Sequence, residues 1–212
     1  MDVRCFTVGP VAENCYVARL DGAKSGVVVD PGEEPDRILK AIEGLGIEIE
    51  AILITHCHFD HIGAVAPLAR ATGAPVWCPE AEAPVLADIM AFVPWPGFGP
   101  YESYEADHRV SGGERLELAG LEIDVLSTPG HSPGHVTYSI GAERAIFSGD
   151  VLFKGSIGRT DLPGGDWATL LASIRKLVES LPPETTVYPG HMGITTLGAE
   201  RATNPFLTEL AR

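Results

Sequence analysis

The sequence has few cysteines and little positive charge, and both shortages narrow its function. The four cysteines (Cys5, Cys15, Cys57 and Cys78) show no CxxC spacing. This argues against a structural zinc site built from thiolates and indicates reduced, mostly buried thiols. The 15 Lys and Arg residues face 29 Asp and Glu residues, which gives a net charge of −14. Nucleic acids and anionic membranes attract clustered cations, so neither is expected as a partner.

The chain also lacks a long hydrophobic run. No stretch approaches a membrane span, and the first residues contain neither the basic part nor the apolar part of a signal peptide. Hydrophobic residues make up 45% of the chain and charged residues 21%, which is typical of a folded globular protein. We therefore expect an unprocessed cytoplasmic protein in which residues 1–212 form a single domain.

Two secondary-structure patterns alternate along the chain. Short apolar runs indicate β-strands, and apolar residues at helical spacing indicate amphipathic helices. The predicted strands are 5–8, 15–20, 26–29, 51–54, 75–78, 115–118, 121–126, 136–140, 145–147 and 186–188. The predicted helices are 35–45, 62–71, 80–92 and 167–181, and the segment 94–104, rich in proline, glycine and aromatic residues, is predicted to be a loop. Strands in runs, with helices in both halves, favour two sheets covered by helices.

The strongest functional signal is Thr-His-Cys-His-Phe-Asp-His at residues 55–61, directly after an apolar run. Imidazoles together with a carboxylate are suitable ligands for zinc, iron or manganese. His56 and His58 lie two residues apart, so in an extended segment they point the same way and can bind one ion. Asp60 and His61 follow a turn of the chain and can reach a second ion.

Three further polar segments also follow predicted strands. They read Pro-Gly-His-Ser-Pro-Gly-His, Phe-Ser-Gly-Asp and Tyr-Pro-Gly-His. Each combines a glycine-containing turn with a potential ligand, and strand ends converge at one edge of a sheet. Asp150 has two carboxylate oxygens and can bridge two ions. The seven candidate metal ligands are His56, His58, Asp60, His61, His131, Asp150 and His191.

These four motifs, in this order and over nearly the whole chain, resemble the metallo-β-lactamase superfamily. The resemblance implies an α/β fold, an αββα four-layer sandwich, with a metal site at one edge of the two sheets. It also implies how the ligands divide between the ions. One ion is bound by His56, His58 and His131, the other by Asp60, His61 and His191, and Asp150 bridges them.

Residues 155–166 and the segments 195–198 and 203–207 are similar to the short bacterial glyoxalase II-like hydrolases. That branch implies hydrolysis of S-D-lactoylglutathione or a similar thioester. In longer glyoxalase II enzymes a basic residue matching Arg159 contacts glutathione, which makes Arg159 the candidate substrate-binding residue. Its alternative role is to pair with Asp161 or Asp166. The longer enzymes also use a C-terminal helical domain, which is not expected in 212 residues, and a tyrosine just after the last metal histidine, which is absent here.

The expected cofactor is a pair of divalent ions, zinc first, with iron or manganese as alternatives. Metal coordination lowers the pKa of bound water from ~15.7 towards ~7, so a bridging hydroxide would attack the thioester carbonyl. The leaving thiolate has a conjugate-acid pKa of about 8.5 and needs little acid catalysis. Asp60 is the candidate catalytic residue, orienting or deprotonating the water, and its alternative role is that of a purely structural ligand.

Two other classes of function stay open. A persulfide dioxygenase is similar in sequence and is implied to hold one iron at positions matching His56, His131 and Asp150, with glutathione persulfide as its substrate. A non-catalytic binding protein on the same fold is disfavoured by the intact set of ligands. Other esters, lactones and β-lactams are disfavoured as substrates.

Several neighbouring residues have two interpretations. His135 either supports the site through a hydrogen bond or is a satisfied histidine at a strand start, and Asp30 either supports the metal loop or caps a turn. Side-chain alternation turns Cys57 away from the metals, so its thiol is predicted to be a packing group. The aromatic residues of the 94–104 loop either cover the substrate or form the contact of a homodimer; they are Trp95, Phe98, Tyr101 and Tyr104.

Overall fold

The first sheet lies in the N-terminal half of the chain. The structure, a computed structural model, describes residues 1–93 and 95–207; Pro94, which begins the predicted loop, and residues 208–212 lie outside the described residues. The strands of this sheet are β1 Asp2–Val8, β2 Glu13–Arg19, β3 Ser25–Val29, β4 Glu48–Leu53, β5 Val76–Pro79 and β6 His108–Val110. They are hydrogen-bonded in that order, β1 to β3 antiparallel and β3 to β6 parallel.

The second sheet is built from the C-terminal half. Its strands are β7 Arg115–Leu118, β8 Leu121–Ser127, β9 Val136–Ile140, β10 Ala145–Gly149, β13 Thr186–Pro189 and β14 Thr195–Thr196. They lie in the order β14-β13-β10-β9-β8-β7, and only the β10–β13 pair is parallel. Between β10 and β13 the chain forms a small hairpin, β11 Leu152–Phe153 with β12 Ser156–Ile157.

The helices cover the outer faces of both sheets. They are α1 Pro35–Leu45, α2 Phe59–Ile62, α3 Val65–Thr72, α4 Ala83–Ala87, α5 Ile89–Phe92, α6 Trp167–Ser180 and α7 Leu197–Thr203. Proline at the first position begins α1, and Gly46 ends it in the left-handed conformation with φ 61°. At the start of α6 the Asp166 side chain accepts a hydrogen bond from the Thr169 N–H at 2.8 Å.

The prediction of one helix over residues 80–92 was wrong. The structure has two short helices there, α4 and α5, separated at Asp88, whose φ of −147° is not helical. Proline lacks an N–H and clashes with the preceding turn, so Pro84 is tolerated only in the first turn, which fixes the start of α4. The predicted helix 62–71 corresponds to α3, Val65–Thr72; its first predicted residue, Ile62, ends the separate helix α2, and Gly63 and Ala64 lie between the two.

Apolar side chains form three layers that define the sandwich. One layer lies between the first sheet and helices α1 to α5, a second lies between the two sheets, and a third lies between the second sheet and helices α6 and α7. Strand β3 shows why: Val28 faces the helices, whereas Val27 and Val29 face the other sheet. Burial of such a side chain contributes roughly 1.5–3 kcal/mol. The predicted αββα sandwich is confirmed.

Among residues 1–93 and 95–207, no helix is both long enough and apolar enough to cross a bilayer.

Candidate metal centre

The candidate ligands lie where four strands end, at one edge of the sandwich. Strand β4 of the first sheet leads to the 55–61 motif, and α2 then turns Asp60 and His61 back towards it. Strands β8, β10 and β13 of the second sheet lead to His131, Asp150 and His191. Residues separated by up to 135 positions therefore meet because the two sheets pack face to face with these ends together.

One group consists of three imidazoles. Nε2 of His56 lies 3.1 Å from Nδ1 of His58. Nδ1 of His58 also lies 2.8 Å from Nε2 of His131. The spacing of two residues between His56 and His58 thus brings both rings to one side, as the sequence predicts.

The second group combines imidazoles with carboxylates. Oδ2 of Asp60 lies 3.3 Å from Nε2 of His191 and 3.8 Å from Nε2 of His61. Asp150 lies between the two groups: its Oδ1 is 3.4 Å from His61 Nε2, and its Oδ2 is 3.4 Å from His131 Nε2 and 3.5 Å from His191 Nε2. The structure brings all seven candidate ligands together, and their division between two ions stays a prediction.

The protonation states of these groups favour cation binding. Burial lowers the pKa of His56 well below its usual value, and burial with the neighbouring His131 lowers that of His58 to about 4. Both imidazoles are therefore neutral at pH 7. Burial alone would raise the pKa of Asp150, but His61, His131 and His191 together outweigh it and hold the carboxyl ionised. Against the effect of burial, the neighbouring Asp60 and Asp150 raise the pKa of His61 and His191, so an ion bound there would replace a proton on these rings. Neutral nitrogens and ionised carboxylates are the forms that bind divalent metals.

Four of the imidazole rings are oriented by contacts at their Nδ1 atoms. Nδ1 of His131 donates to the Arg159 carbonyl at 2.7 Å, and Nδ1 of His191 donates to the Ala12 carbonyl at 3.3 Å. Nδ1 of His61 donates to Asp30 at 3.1 Å, and Nδ1 of His56 lies 3.1 Å from the Thr55 hydroxyl. Because carbonyl and carboxylate oxygens only accept, Nδ1 of His131, His191 and His61 carries a proton, and Nε2 is the nitrogen through which each ring can bind an ion.

The centre also contains polar atoms that make no hydrogen bond within the described part of the chain. Nε2 of His61 and Oδ1 of Asp150 are buried and make no hydrogen bond among the described residues. Buried polar groups are normally satisfied, so such atoms indicate a missing ion or water. A Cβ at Gly190 would overlap Oδ1 of Asp150 and lie 2.7 Å from Cε1 of His61, so this glycine keeps the space open. The residues present fit a site for divalent ions.

Asp30 supports the centre from behind. Its carboxylate accepts from the Thr55 N–H at 2.7 Å and from the Thr55 hydroxyl at 2.6 Å, and it also accepts from His61. Of the two interpretations from sequence, the contacts favour support of the metal loop.

The Asp30→Asn variant is expected to lower metal affinity about 10- to 100-fold. Its amide has one oxygen where the carboxylate has two, so the NH2 group would face a donor of His61 or Thr55 and leave it without an acceptor. Competitive chelator titration of the purified protein measures this. Asp36→Asn, in the first turn of α1, is the control and should bind metal as the wild type does. Equal affinity in both variants would show that Asp30 does not orient His61.

His135 and Cys57 lie beside the centre without facing it. His135 is 1% exposed; its Nε2 accepts from the Asp150 N–H at 3.1 Å, and its Nδ1 lies 3.1 Å from the Thr128 hydroxyl, so both ring nitrogens are engaged. The Cys57 thiol is buried in the layer between the first sheet and its helices, 3.5 Å from the sulfur of Cys78. These contacts agree with a supporting histidine and a packing thiol.

Sequence reasoning missed four polar residues around the centre. Glu13 is fully buried 3.8 Å from Nδ1 of His61, neither of its oxygens has a hydrogen-bond partner among the described residues, and burial raises its pKa well above the usual value. Glu82 accepts from the Gly134 and Cys57 N–H groups. The Asn14 amide and the Tyr16 hydroxyl both donate to the Pro189 carbonyl. A polar residue at a strand or helix start is common, so none of these carried a signal in the sequence.

A cavity of about 500 Å³ opens above the centre. His58, Asp60, His131, Asp150 and His191 form its floor. Arg159 also lines it and pairs with Asp161 through two hydrogen bonds of 2.6 and 2.7 Å, whereas Asp166 caps α6 instead. Of the four aromatic residues of the 94–104 loop, only Trp95 lines this cavity; the other three pack against the layer under α1 to α5.

The fold and the converging His and Asp side chains define a class of protein that comparison confirms. The family model described as "Metallo-beta-lactamase superfamily" matches residues 8–191, and the chain belongs to this superfamily. It is one of the metallo-hydrolases of the superfamily, which bind divalent metals and act on small molecules.

Three proteins are similar to this chain over nearly their whole length. Hydroxyacylglutathione hydrolase GloC of Haemophilus influenzae is 35% identical over 98% of both chains. The crystal structure of BLEG-1 B3 metallo-β-lactamase is 40% identical, with a TM-score of 0.92 over 98% of this chain and 100% of that one. The crystal structure of TTHA1623 in a di-iron-bound form is 44% identical, with a TM-score of 0.85 over 96% and 100%.

Proposed function

We propose that this chain hydrolyses a small-molecule thioester at a centre of two divalent ions. The observation that carries the proposal is the convergence of seven candidate ligands, four of whose imidazoles are oriented by contacts at Nδ1 so that Nε2 is directed into the same small space. His56, His58 and His131 would hold one ion, Asp60, His61 and His191 the other, and Asp150 both. Zinc is the first choice, with iron and manganese as alternatives, and the di-iron form of the similar TTHA1623 supports iron among these.

When bound, the ions would lower the pKa of water and polarise the substrate carbonyl. The residues of the chain position the reactants. Asp60 is ionised, since His61 and His191 together outweigh the effect of burial on its pKa. It lines the cavity floor, where it can orient the attacking water and accept its proton. The thiolate that leaves is stable enough, with a conjugate-acid pKa of about 8.5, to need no dedicated acid.

A glutathione thioester is the first substrate to test. GloC carries hydroxyacylglutathione hydrolase in its name, and Arg159 lines the cavity with its guanidinium about half exposed. A guanidinium is suited to a carboxylate such as those of glutathione.

The decisive experiment combines metal analysis of protein purified without added metal with hydrolysis of S-D-lactoylglutathione. We expect about two ions per chain and thioester cleavage that is lost with chelation and restored by zinc, iron or manganese. Fewer than two ions and no cleavage of any thioester would contradict the proposal.

Arg159→Ala is expected to raise KM for S-D-lactoylglutathione about tenfold, with metal content unchanged, because it removes a charge-assisted bond to a carboxylate. Steady-state kinetics measures this. Arg115→Ala is a matched control, because Arg115 makes the same two-point contact, with Asp124, at 2.7 and 3.1 Å and does not line the cavity. An unchanged KM in the Arg159 variant would remove this residue from the site.

β-Lactam hydrolysis is a second candidate, favoured by the 40% identity to BLEG-1. Hydrolysis of a chromogenic cephalosporin by the same metal-loaded protein tests it. Persulfide dioxygenation, the alternative from sequence, is tested by oxygen uptake with glutathione persulfide. The presence of all donors of the second group, Asp60, His61 and His191, supports hydrolysis over this one-iron alternative.

A further inference from the structure

One wall of the cavity is apolar and has no part in the chemistry proposed above. Val85 of α4, Ile89 and Phe92 of α5, and Trp95 line the cavity beside the metal centre. The ring of Phe59, the residue after the candidate ligand His58, continues this surface down to the floor, with its centroid 5.9 Å from that of Trp95. We call the side chains of Val85, Ile89, Phe92 and Trp95 the apolar wall.

The apolar wall keeps two large side chains in contact with solvent. Phe92 is 55% exposed and Trp95 is 40% exposed, whereas Ile89 is fully buried deeper in the wall. Large apolar groups at the mouth of a cavity leave surface uncovered that a bound apolar group would remove from water. The cavity lining therefore includes apolar side chains that range from fully buried to exposed.

Few charges are available to bind a polar acyl group. Among the described residues that line the cavity, Arg159 is the one Lys or Arg, and Asp161 already engages it. The remaining ionisable lining residues are Glu82, Cys57, whose thiol is buried, and the candidate ligands on the floor. Within the proposed function, Arg159 is the partner of the thiol part, so the apolar wall is left for the acyl part.

We infer that the apolar wall binds the acyl chain of the substrate, and that the preferred substrates are thioesters with an apolar chain of about six to eight carbons rather than short hydroxyacyl thioesters. This inference rests on the proposed function.

The first test measures kcat/KM of the metal-loaded enzyme for lactoyl-, butanoyl- and octanoyl-glutathione. Each added CH2 in contact with the wall is expected to raise kcat/KM about two- to fourfold, so that the octanoyl thioester exceeds the lactoyl thioester at least about tenfold. Equal values for the three thioesters, or the highest value for lactoyl, would overturn the inference while leaving thioester hydrolysis intact.

The second test needs no hydrolysis and separates the two proposals. S-octylglutathione and S-methylglutathione are thioethers that cannot be cleaved, and their Kd is measured by calorimetry. The octyl compound should bind at least about tenfold tighter. This result without any thioester cleavage would contradict the proposed function and keep the wall as a binding site; equal affinities would overturn the inference.

Variants locate the effect. In the double variant Phe92→Ala, Trp95→Ala the ratio of the two Kd values is expected to fall about tenfold. The matched control is Trp167→Ala, Phe206→Ala, which removes an exposed Trp–Phe pair with ring centroids 6.2 Å apart away from the cavity. A ratio that stays at the wild-type value in the first variant, or that falls equally in both, would show that the chain does not lie on this wall.

Discussion

Replacing Asp150 with asparagine is expected to lower kcat/KM for S-D-lactoylglutathione by roughly a thousandfold or more and to leave at most about one ion per chain. Asp150 is the one side chain whose two oxygens face both groups of candidate ligands, at 3.4 to 3.5 Å from three imidazole nitrogens. The asparagine keeps the shape of the side chain but offers one neutral oxygen as a ligand. Its NH2 group, which does not bind a metal ion, replaces the other carboxylate oxygen. Metal analysis and single-turnover kinetics measure the two losses.

Asp124→Asn is the control for this prediction. It removes a carboxylate that is paired with Arg115 at the surface and has no contact with the centre. This variant should retain wild-type metal content and rate. Two ions and near-normal turnover in Asp150→Asn would show that Asp150 does not bridge.

Gly158→Ala is expected to destabilise the metal-free protein by about 2 to 3 kcal/mol and to weaken metal binding as well. A Cβ at this position would overlap the main-chain carbonyl oxygen of Asp150 and lie 3.2 Å from Nδ1 of His131. To relieve the clash, the chain must shift next to Arg159, whose carbonyl accepts from that same Nδ1. Urea denaturation and chelator competition measure the two effects.

Gly141→Ala is the matched control, because nothing lies within 4 Å of a Cβ built there. We expect a stability change within about 0.5 kcal/mol. If the two glycine variants lose similar stability, or neither loses any, the close approach at Gly158 does not matter.

The sequence was most informative about residues whose chemistry does not depend on their neighbours. Packing gives no reason for His and Asp to follow an apolar strand, so the seven candidate ligands could be selected before any contact was known. Alternation along an extended segment correctly placed His56 and His58 on one side and the Cys57 thiol on the other.

Prediction was weakest where the neighbours decide the outcome. Nothing in the segment 80–92 shows that it splits at Asp88, since Pro84 fixes only the start of α4. At Asp88 the backbone turns, and the Ile89 N–H donates to the Ser103 hydroxyl instead of continuing a helix. Glu13 reads as a surface residue at a strand start, yet the packing of the 55–61 motif over β2 buries it completely. Such placements depend on contacts with residues distant in the chain, and a single sequence does not show which distant residues are in contact.

The bonds from β2 to the end of β13 bear on the order of events in folding. The Asn14 amide contacts the Pro189 carbonyl across 175 positions and the Met192 carbonyl across 178, and the Tyr16 hydroxyl reaches Pro189 across 173. Closing such distances is slow, and the group of Asp60, His61 and His191 is incomplete until the end of β13 has packed beside β2. Uptake of the ion that this group would hold should therefore be among the last events of refolding, and its rate would report the joining of the two halves of the chain.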